Sequence, residues 1–386
     1  IGYGGIDISE DGKTLYLISL YTKKLYSIFI NNPFEQPDIN DVDSFAIPDP
    51  NCNRGTYRPW AVKMHRGKLY VGVVCDGSGL NATTADLNAN VYEFDPAVKT
   101  FSNVLSFSLD YKSYGIKASF LPWVDTWDPL WQQSNFGYCD HAQAILSDIE
   151  FDGDDHMVVG IMDRLGMQGG FNQENTSGHP AYSVISLGDV LRSTYNSVTH
   201  KYEIEQNASD GVIQTDGRNT GFGPDGGEYY HGDNALDING ATLEAESANG
   251  ALAYSPGYGN MITSAMAPYG FFSNGVLHLD NKNGNWNKRF LIIPPDFTLF
   301  LGKSNGLGDL KVRSKPAPIE IGNYVWKDLN RNGIQDPIEP PLENISIQLL
   351  KNNTVIASAI TNKNGNYIFS NDNNPSQNDY PNAFIY

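Results

Sequence analysis

Apolar and polar residues alternate in short runs along most of the first 316 positions, and each run stops at Gly, Asn, Asp or Pro. Alternation at period two puts apolar side chains on one face of an extended strand, and those four residue types close turns. Ile6-Asp7-Ile8-Ser9 leads through Glu10-Asp11-Gly12-Lys13 to Thr14-Leu15-Tyr16-Leu17-Ile18 and Lys24-Leu25-Tyr26-Ser27-Ile28-Phe29. The phrase recurs as Trp60–Lys63, Lys68–Val74 and Asn90–Asp95, then as Leu146–Phe151, Met157–Ile161 and Tyr182–Ile185. A fourth copy is Gly250–Tyr254, Asn260–Thr263 and Gly275–Leu279. A repeated unit that cannot bury its own faces implies a stacked array, and four-stranded units set radially make a β-propeller. The fold expected is therefore all-β, with a β-propeller-like N-terminal domain over residues 1–316.

The irregular spacing leaves the blade count open. Gly306–Val312 reads as the opening strand of a further unit or as a closing strand. A string of β-sandwiches is the competing fold, but it would not require the repeated phrase. Leu187–Arg192 is the one segment with a helical pattern, enough for a turn or two. Ser314-Lys315-Pro316-Ala317-Pro318 reads as a linker stiffened towards polyproline II.

Beyond the linker lies Asp328-Leu329-Asn330-Arg331-Asn332-Gly333-Ile334-Gln335-Asp336-Pro337-Ile338-Glu339. Every fixed position of the D-x-[DN]-x-[DN]-G-x5-E calcium loop is met. Asp328, Asn330 and Asn332 would offer side-chain oxygens, Ile334 its carbonyl, Asp336 a direct or water-mediated contact, and Glu339 a closing carboxylate. The alternative is a polar turn that binds nothing. Pro337, Pro340 and Pro341 exclude a flanking helix, while Ile319–Trp326 and Ile345–Leu350 read as strands.

Ile321-Gly322-Asn323-Tyr324-Val325-Trp326, the loop, and Asn362-Lys363-Asn364-Gly365-Asn366-Tyr367-Ile368-Phe369 together resemble the SdrD B-like domain of bacterial surface proteins. The resemblance covers about residues 317–386 and implies a calcium-binding immunoglobulin-like β-sandwich used as a stalk module. It also implies a second cation site at Asn362, Asn364 and Asn366, weakened because Asn362 stands where the family usually has Asp. More loosely, Asp163-Arg164 with its glycine tail, Gly188–Arg192, Gly227–Tyr230 and Gly306–Asp309 resemble the domain that precedes such modules in large bacterial surface proteins.

Charge narrows the partners. Forty-four acidic residues against 26 basic ones give a net charge of −18, which disfavours nucleic acid and anionic membrane. No apolar run is long enough to span a bilayer, so no transmembrane segment is expected. With no initiator Met and no leader, the chain reads as a mature or excised fragment, and Tyr386 cuts the second module short.

Several constellations could carry chemistry. Asp163–Gly170 joins a charged pair to a glycine-rich turn. Gly226–Asp233 puts Glu228, His231 and Asp233 close together, enough for acid–base work or a metal. Trp123, Trp127 and Trp131 beside Asp125 and Asp128 could form a platform for carbohydrate. The plainer readings are a buried Asp–Arg pair, an inter-blade turn and aromatic packing. Asp152, Asp154 and Asp155 are read as a hairpin turn rather than a cation site.

The expectation is a non-enzymatic secreted or cell-surface bacterial protein, adhesive or filament-forming, with calcium as its cofactor. Its partners would be copies of itself, neighbouring surface proteins or glycans. The rival is an extracellular propeller enzyme that acts on glycans through the Glu228–Asp233 segment.

Cys52, Cys75 and Cys139 leave room for one disulfide. Cys52 and Cys75 flank a strand pair that can bring them within bonding reach, the alternative being two buried thiols. Alkylation of the unreduced protein is therefore expected to label one cysteine, Cys139, in an intact-mass measurement. Three labelled cysteines would exclude the bridge.

Overall fold

A computed structural model describes residues 2–112, 119–126, 138–139, 141–169, 183–184, 186–244, 246–295, 307–313 and 320–370. The chain divides into two compact units, Ile1–Val312 and Arg313–Tyr386. The linker residues Ser314–Pro318 lie outside the described residues.

Four antiparallel sheets dominate the first unit, each with its four strands in chain order. Blade I comprises Tyr3–Ile8, Thr14–Ser19, Lys24–Phe29 and Val42–Ala46. Blade II comprises Tyr57–His65, Lys68–Cys75, Asn88–Asp95 and Thr100–Ser108. Blade III comprises Ala144–Phe151, Met157–Asp163, Asp189–Asn196 and Lys201–Ile204. Blade IV comprises Ala248–Ser255, Asn260–Met266, Asn274–Asp280 and Trp286–Ile293. The first strands of successive blades adjoin one another, so they are the inner strands of a propeller-like array.

Two parts of the repeat differ from the pattern. Ser183–Val184 pairs in parallel with Tyr138–Cys139, away from blade III. The third strand of that blade is instead Asp189–Asn196, where a helical turn is expected from sequence. Val190 and Leu191 are both fully buried. A strand covered on both faces need not alternate, so its apolar spacing imitates a helix. Among the described residues of this region the helix is Arg164–Gly169. Leu307–Arg313 forms no strand, and Gly306 lies outside the described residues.

Packing between blades fills the core. Ile18, Leu25, Val71 and Phe94 join blades I and II. Leu105, Leu146, Phe151 and Leu191 join II and III. Val158, Val190, Leu252 and Leu277 join III and IV. Each inner strand also carries a register shift, at Tyr3/Ile6, Pro59/Val62, Leu146/Asp148 and Ala248/Leu252. Such bulges bend a strand and re-aim its side chains. Past two of them, Asp7 accepts the Met64 N–H of the next blade at 2.7 Å, and Asp148 accepts the Leu252 N–H at 2.7 Å. Lys63 and Glu150 form a 2.7 Å ion pair between blades II and III. The Cys52 and Cys75 sulfurs are bonded, with Cα atoms 5.3 Å apart, which ties the segment before blade II to its second strand.

One face of blade I has no blade against it among the described residues. Tyr3 and Ile6 are 65% and 53% exposed. With Leu17, Tyr21, Tyr26 and Ile28 they line an open hollow of about 510 Å³.

In the second unit Glu320–Tyr324 pairs with Asn366–Ser370, and Ser346–Lys351 pairs with Thr354–Ile360. Asn352 and Asn353, both at positive φ, close the second pair as a two-residue hairpin. Ala359 and Phe369 are buried between these short sheets.

A Cβ at Gly160, on the second strand of blade III, would overlap the Gly250 carbonyl of blade IV, whereas one at Gly257 would meet nothing within 4 Å. Gly160→Ala is expected to cost about 1–3 kcal/mol by overpacking, read from denaturant midpoints. Gly257→Ala should stay within about 0.5 kcal/mol of the native chain.

Candidate functional site

In the second unit the loop 328–339 curls round its own carboxylates. Gly333 makes the turn at φ +75°. The Asp328 carboxylate accepts the N–H groups of Asn332 at 3.2 Å and Gly333 at 2.8 Å. Glu339, only 6% exposed, accepts those of Leu329 at 2.7 Å and Asp336 at 3.1 Å. Asn330 and Asn332 both donate their amides to Asp336. Asn330, Asn332 and Asp336 are thus joined to one another, and Asp328 and Glu339 are tied to the loop's backbone. The donors are all oxygen, which suits a hard cation. The loop's three carboxylates are not drawn within 4.8 Å of one another, and both oxygens of Asp328 and Glu339, with Oδ2 of Asp336, accept amide N–H groups. Ile334 donates its N–H to Asn332 at 2.7 Å. At the weaker candidate site, Asn362 accepts the N–H groups of Asn364 and Asn366, as an Asx turn does. That segment supplies no carboxylate.

The first unit contains a different acidic site. Glu228 and Asp233 are separated from His231, whose ring contacts the Asn283 carbonyl at 3.2 Å. They meet Asp189, which opens the third strand of blade III, and Glu246, just before the inner strand of blade IV. One carboxylate oxygen from each of the four lies within 4.8 Å of the other three. Asp189 and Asp233 have no exposed surface, and Glu228 and Glu246 have 4% and 2%. Asp189 Oδ1, Glu228 Oε1, both Asp233 oxygens and Glu246 Oε2 receive no hydrogen bond from outside the cluster. The Tyr111 hydroxyl donates to Asp189 Oδ2.

Burial, then the neighbouring carboxylates, pushes Glu228, Asp233 and Glu246 far above the usual carboxylate range. Burial also lifts Asp189 to about 6, against the hydrogen bonds from Tyr111 and Glu228. Spacing in sequence points to Glu228 and Asp233. Asp189 stands in the quoted Gly188–Arg192 phrase without a role, and Glu246 lies in an Ala-Glu-Ser stretch that carries no motif.

The other constellations are structural. Arg192, 1% exposed, donates to Asp152 at 2.7 Å, Asp210 at 2.8 Å and the Tyr230 hydroxyl at 3.1 Å. Asp152 also closes the turn before Met157, accepting the N–H groups of Asp154 and His156. Arg164 donates to the Val124 carbonyl and the Gln143 side chain, while Asp163 accepts the N–H groups of Gln143 and Leu165. The expected Asp163–Arg164 pair is thus replaced by bonds to other groups. Trp123 stacks with Arg58 and Arg164 at 5.0 and 4.6 Å. Trp127, Asp128, Trp131 and Gly170 lie outside the described residues.

The geometry defines an all-β protein, propeller-like and then a short two-sheet module. Residues 319–380 match the family model of the SdrD B-like domain. The chain is 29% identical over 396 aligned residues to Colossin-A of Dictyostelium discoideum, covering 96% of this chain but 3% of that protein. The serine-aspartate repeat-containing protein D of Staphylococcus aureus is 39% identical over 54 residues, 14% of this chain and 4% of that protein. Among solved structures, the periplasmic gluconolactonase of Pseudomonas aeruginosa aligns with a TM-score of 0.35 at 10% identity, over 79% of this chain and 55% of that one. The propeller-like assignment therefore rests on the blade topology. No helix among the described residues is long and apolar enough to cross a membrane.

Burial raises the Asp163 carboxyl from an ordinary 3.8 to about 7, against the backbone N–H groups that stabilise its charge. The folded state then holds a proton that the unfolded chain has released, so this contribution to stability is lost as pH rises from about 4 to about 7. Asp163→Asn cannot ionise. Its stability relative to the native chain is expected to improve between about pH 4.5 and pH 7 and to level off above that in denaturant titrations. A constant difference would count against the raised value.

Proposed function

We propose that this chain is part of an extracellular structural protein, in which the propeller-like unit makes contacts for adhesion or assembly and the second unit is a calcium-stiffened stalk module. The exposed face of blade I carries the contact reading. It presents Tyr3, Ile6, Tyr21 and Tyr26 over an open hollow. Contiguous apolar surface of that kind marks interaction sites on soluble proteins. Its partners would be further copies of the chain, neighbouring surface proteins or glycans. The Cys52–Cys75 bridge fits an oxidising compartment.

Calcium in the 328–339 loop is supported by the SdrD B-like match and by a donor set made only of oxygen. Asp328, Asn330, Asn332, Asp336 and Glu339 would hold the ion, together with the Ile334 carbonyl. The ion would relieve repulsion among three carboxylates in a module with a small core. Relatives spanning nearly the whole chain include a Dictyostelium protein, so the proposal is not tied to bacteria.

One observation favours the rival reading, a glycan-acting enzyme. A cavity of about 210 Å³ beside the inner strands is lined by two acids, Asp148 and Asp309. Both are already engaged, Asp148 by the Leu252 N–H and Asp309 by Lys311 at 3.1 Å. The cavity is also smaller than the roughly 300–1,000 Å³ of ordinary ligand pockets. Glu228 and Asp233, the expected acid pair, are sealed from solvent.

Calcium at 100 times its dissociation constant should stabilise the second unit by about 2.7 kcal/mol. In melting curves of the full chain, a chelator is expected to lower the midpoint of that unit's transition. Glu339→Gln and Asp328→Ala should each reproduce the loss in calcium. A midpoint indifferent to all three would make the loop an ordinary turn.

A further inference from the structure

We infer that Asp189, Glu228, Asp233 and Glu246 form a buried calcium site between blades III and IV, separate from the loop of the second unit. Four acids alone would not establish a site. The additional observation is that five of their eight oxygens, both of Asp233's among them, receive no hydrogen bond from any group outside the cluster, at side chains no more than 4% exposed. Buried carboxylate oxygens are ordinarily satisfied by donors or by a metal. Arg192, the nearby buried cation, is directed instead to Asp152 and Asp210.

The donor chemistry selects the ion. All four ligands are carboxylates, with no imidazole or thiolate to favour zinc or copper. Oxygens on opposite sides of a calcium ion stand roughly 4.6–5.2 Å apart, twice the Ca–O distance. The four oxygens here fall within 4.8 Å of one another. Magnesium binds at shorter distance and keeps several waters, which a site this enclosed does not favour. A single dication would neutralise half of four ionised carboxylates.

The site also has a mechanical position. Asp189 belongs to blade III and Glu246 leads directly into blade IV, while Glu228 and Asp233 lie in the segment between the blades. The Gly188 N–H donates to the Glu246 carbonyl at 3.0 Å, and the Ser247 N–H to the Asp233 carbonyl at 3.0 Å. An ion held by all four side chains would clasp two blades and their connection.

The test uses the full chain with the second unit's loop disabled by Asp328→Ala and Glu339→Gln. After purification in calcium and exhaustive dialysis into metal-free buffer, elemental analysis should find one calcium per folded chain. Adding Asp233→Asn should abolish it. Terbium provides a readout that needs no further substitution. Because the Tyr111 hydroxyl bonds Asp189, terbium replacing calcium in the loop-disabled chain should emit on tyrosine excitation, and excess calcium should quench that emission. A folded loop-disabled chain that neither retains calcium nor sensitises terbium would overturn the inference. So would calcium retained at full occupancy after Asp233→Asn. Since the loop is disabled throughout, failure here leaves the stalk-module reading untouched, and failure of that reading leaves this one.

Discussion

Backbone approaches backbone where the blades meet, and much of the first unit follows from that closeness. A Cβ at Gly4 would come within 2.7 Å of the Trp60 carbonyl, and one at Gly5 within 2.9 Å of the Val62 nitrogen. At such junctions a side chain must be absent, or it must replace the hydrogen bonds that a neighbouring strand cannot make. Asp7 and Asp148 do the second. Each follows a bulge and accepts an amide from the next blade. An unpaired amide buried there would cost more than a typical hydrogen bond contributes.

The protein buries acids in two contrasting ways. Around Arg192, His156 and the guanidinium hold Asp152 below its ordinary range against the effect of burial. Backbone N–H groups and Arg192 do the same for Asp210. Removing the guanidinium would leave charges stranded, which is where buried ion pairs show their cost. Around Glu228 no arginine or lysine among the described residues plays that part, and burial drives the carboxyls towards neutrality. The two clusters adjoin through one short segment, since Tyr230 bonds Arg192 and Glu228 stands two positions earlier. That segment therefore links a satisfied network to an unsatisfied one.

Inner and middle strands were legible because each carries a covered face and ends at a strong turn. Lys24–Phe29 coincides with its strand, and Lys68–Val74 falls one residue short. The outer strands were harder. Val42–Ala46 and Trp286–Ile293 contain no fully buried residue, so little alternation marks them. Asp189–Asn196 failed for the opposite reason, being covered on both sides. The calcium-loop motif is local and could be read position by position. The four-acid cluster draws on three separated segments, and only two of its members share one. Glu246 carries no local mark except a left-handed backbone at φ +56°, which becomes visible only in three dimensions.

The chain-order arrangement of every blade bears on how the molecule is made. Within blades I, II and IV each strand pairs with its sequence neighbour, and only in blade III does a longer excursion, from Asp163 to Asp189, separate two paired strands, so most first contacts close short loops and carry little of the delay that distant pairings impose. A blade can gather as soon as its four strands have left the ribosome. What must wait is docking between blades, where fit is tight and acids must find amides on the next inner strand. Early blades thus spend synthesis with an apolar face open, and among the described residues blade I keeps such a face even after blade IV is in place. That interval is when unwanted association between nascent copies is easiest.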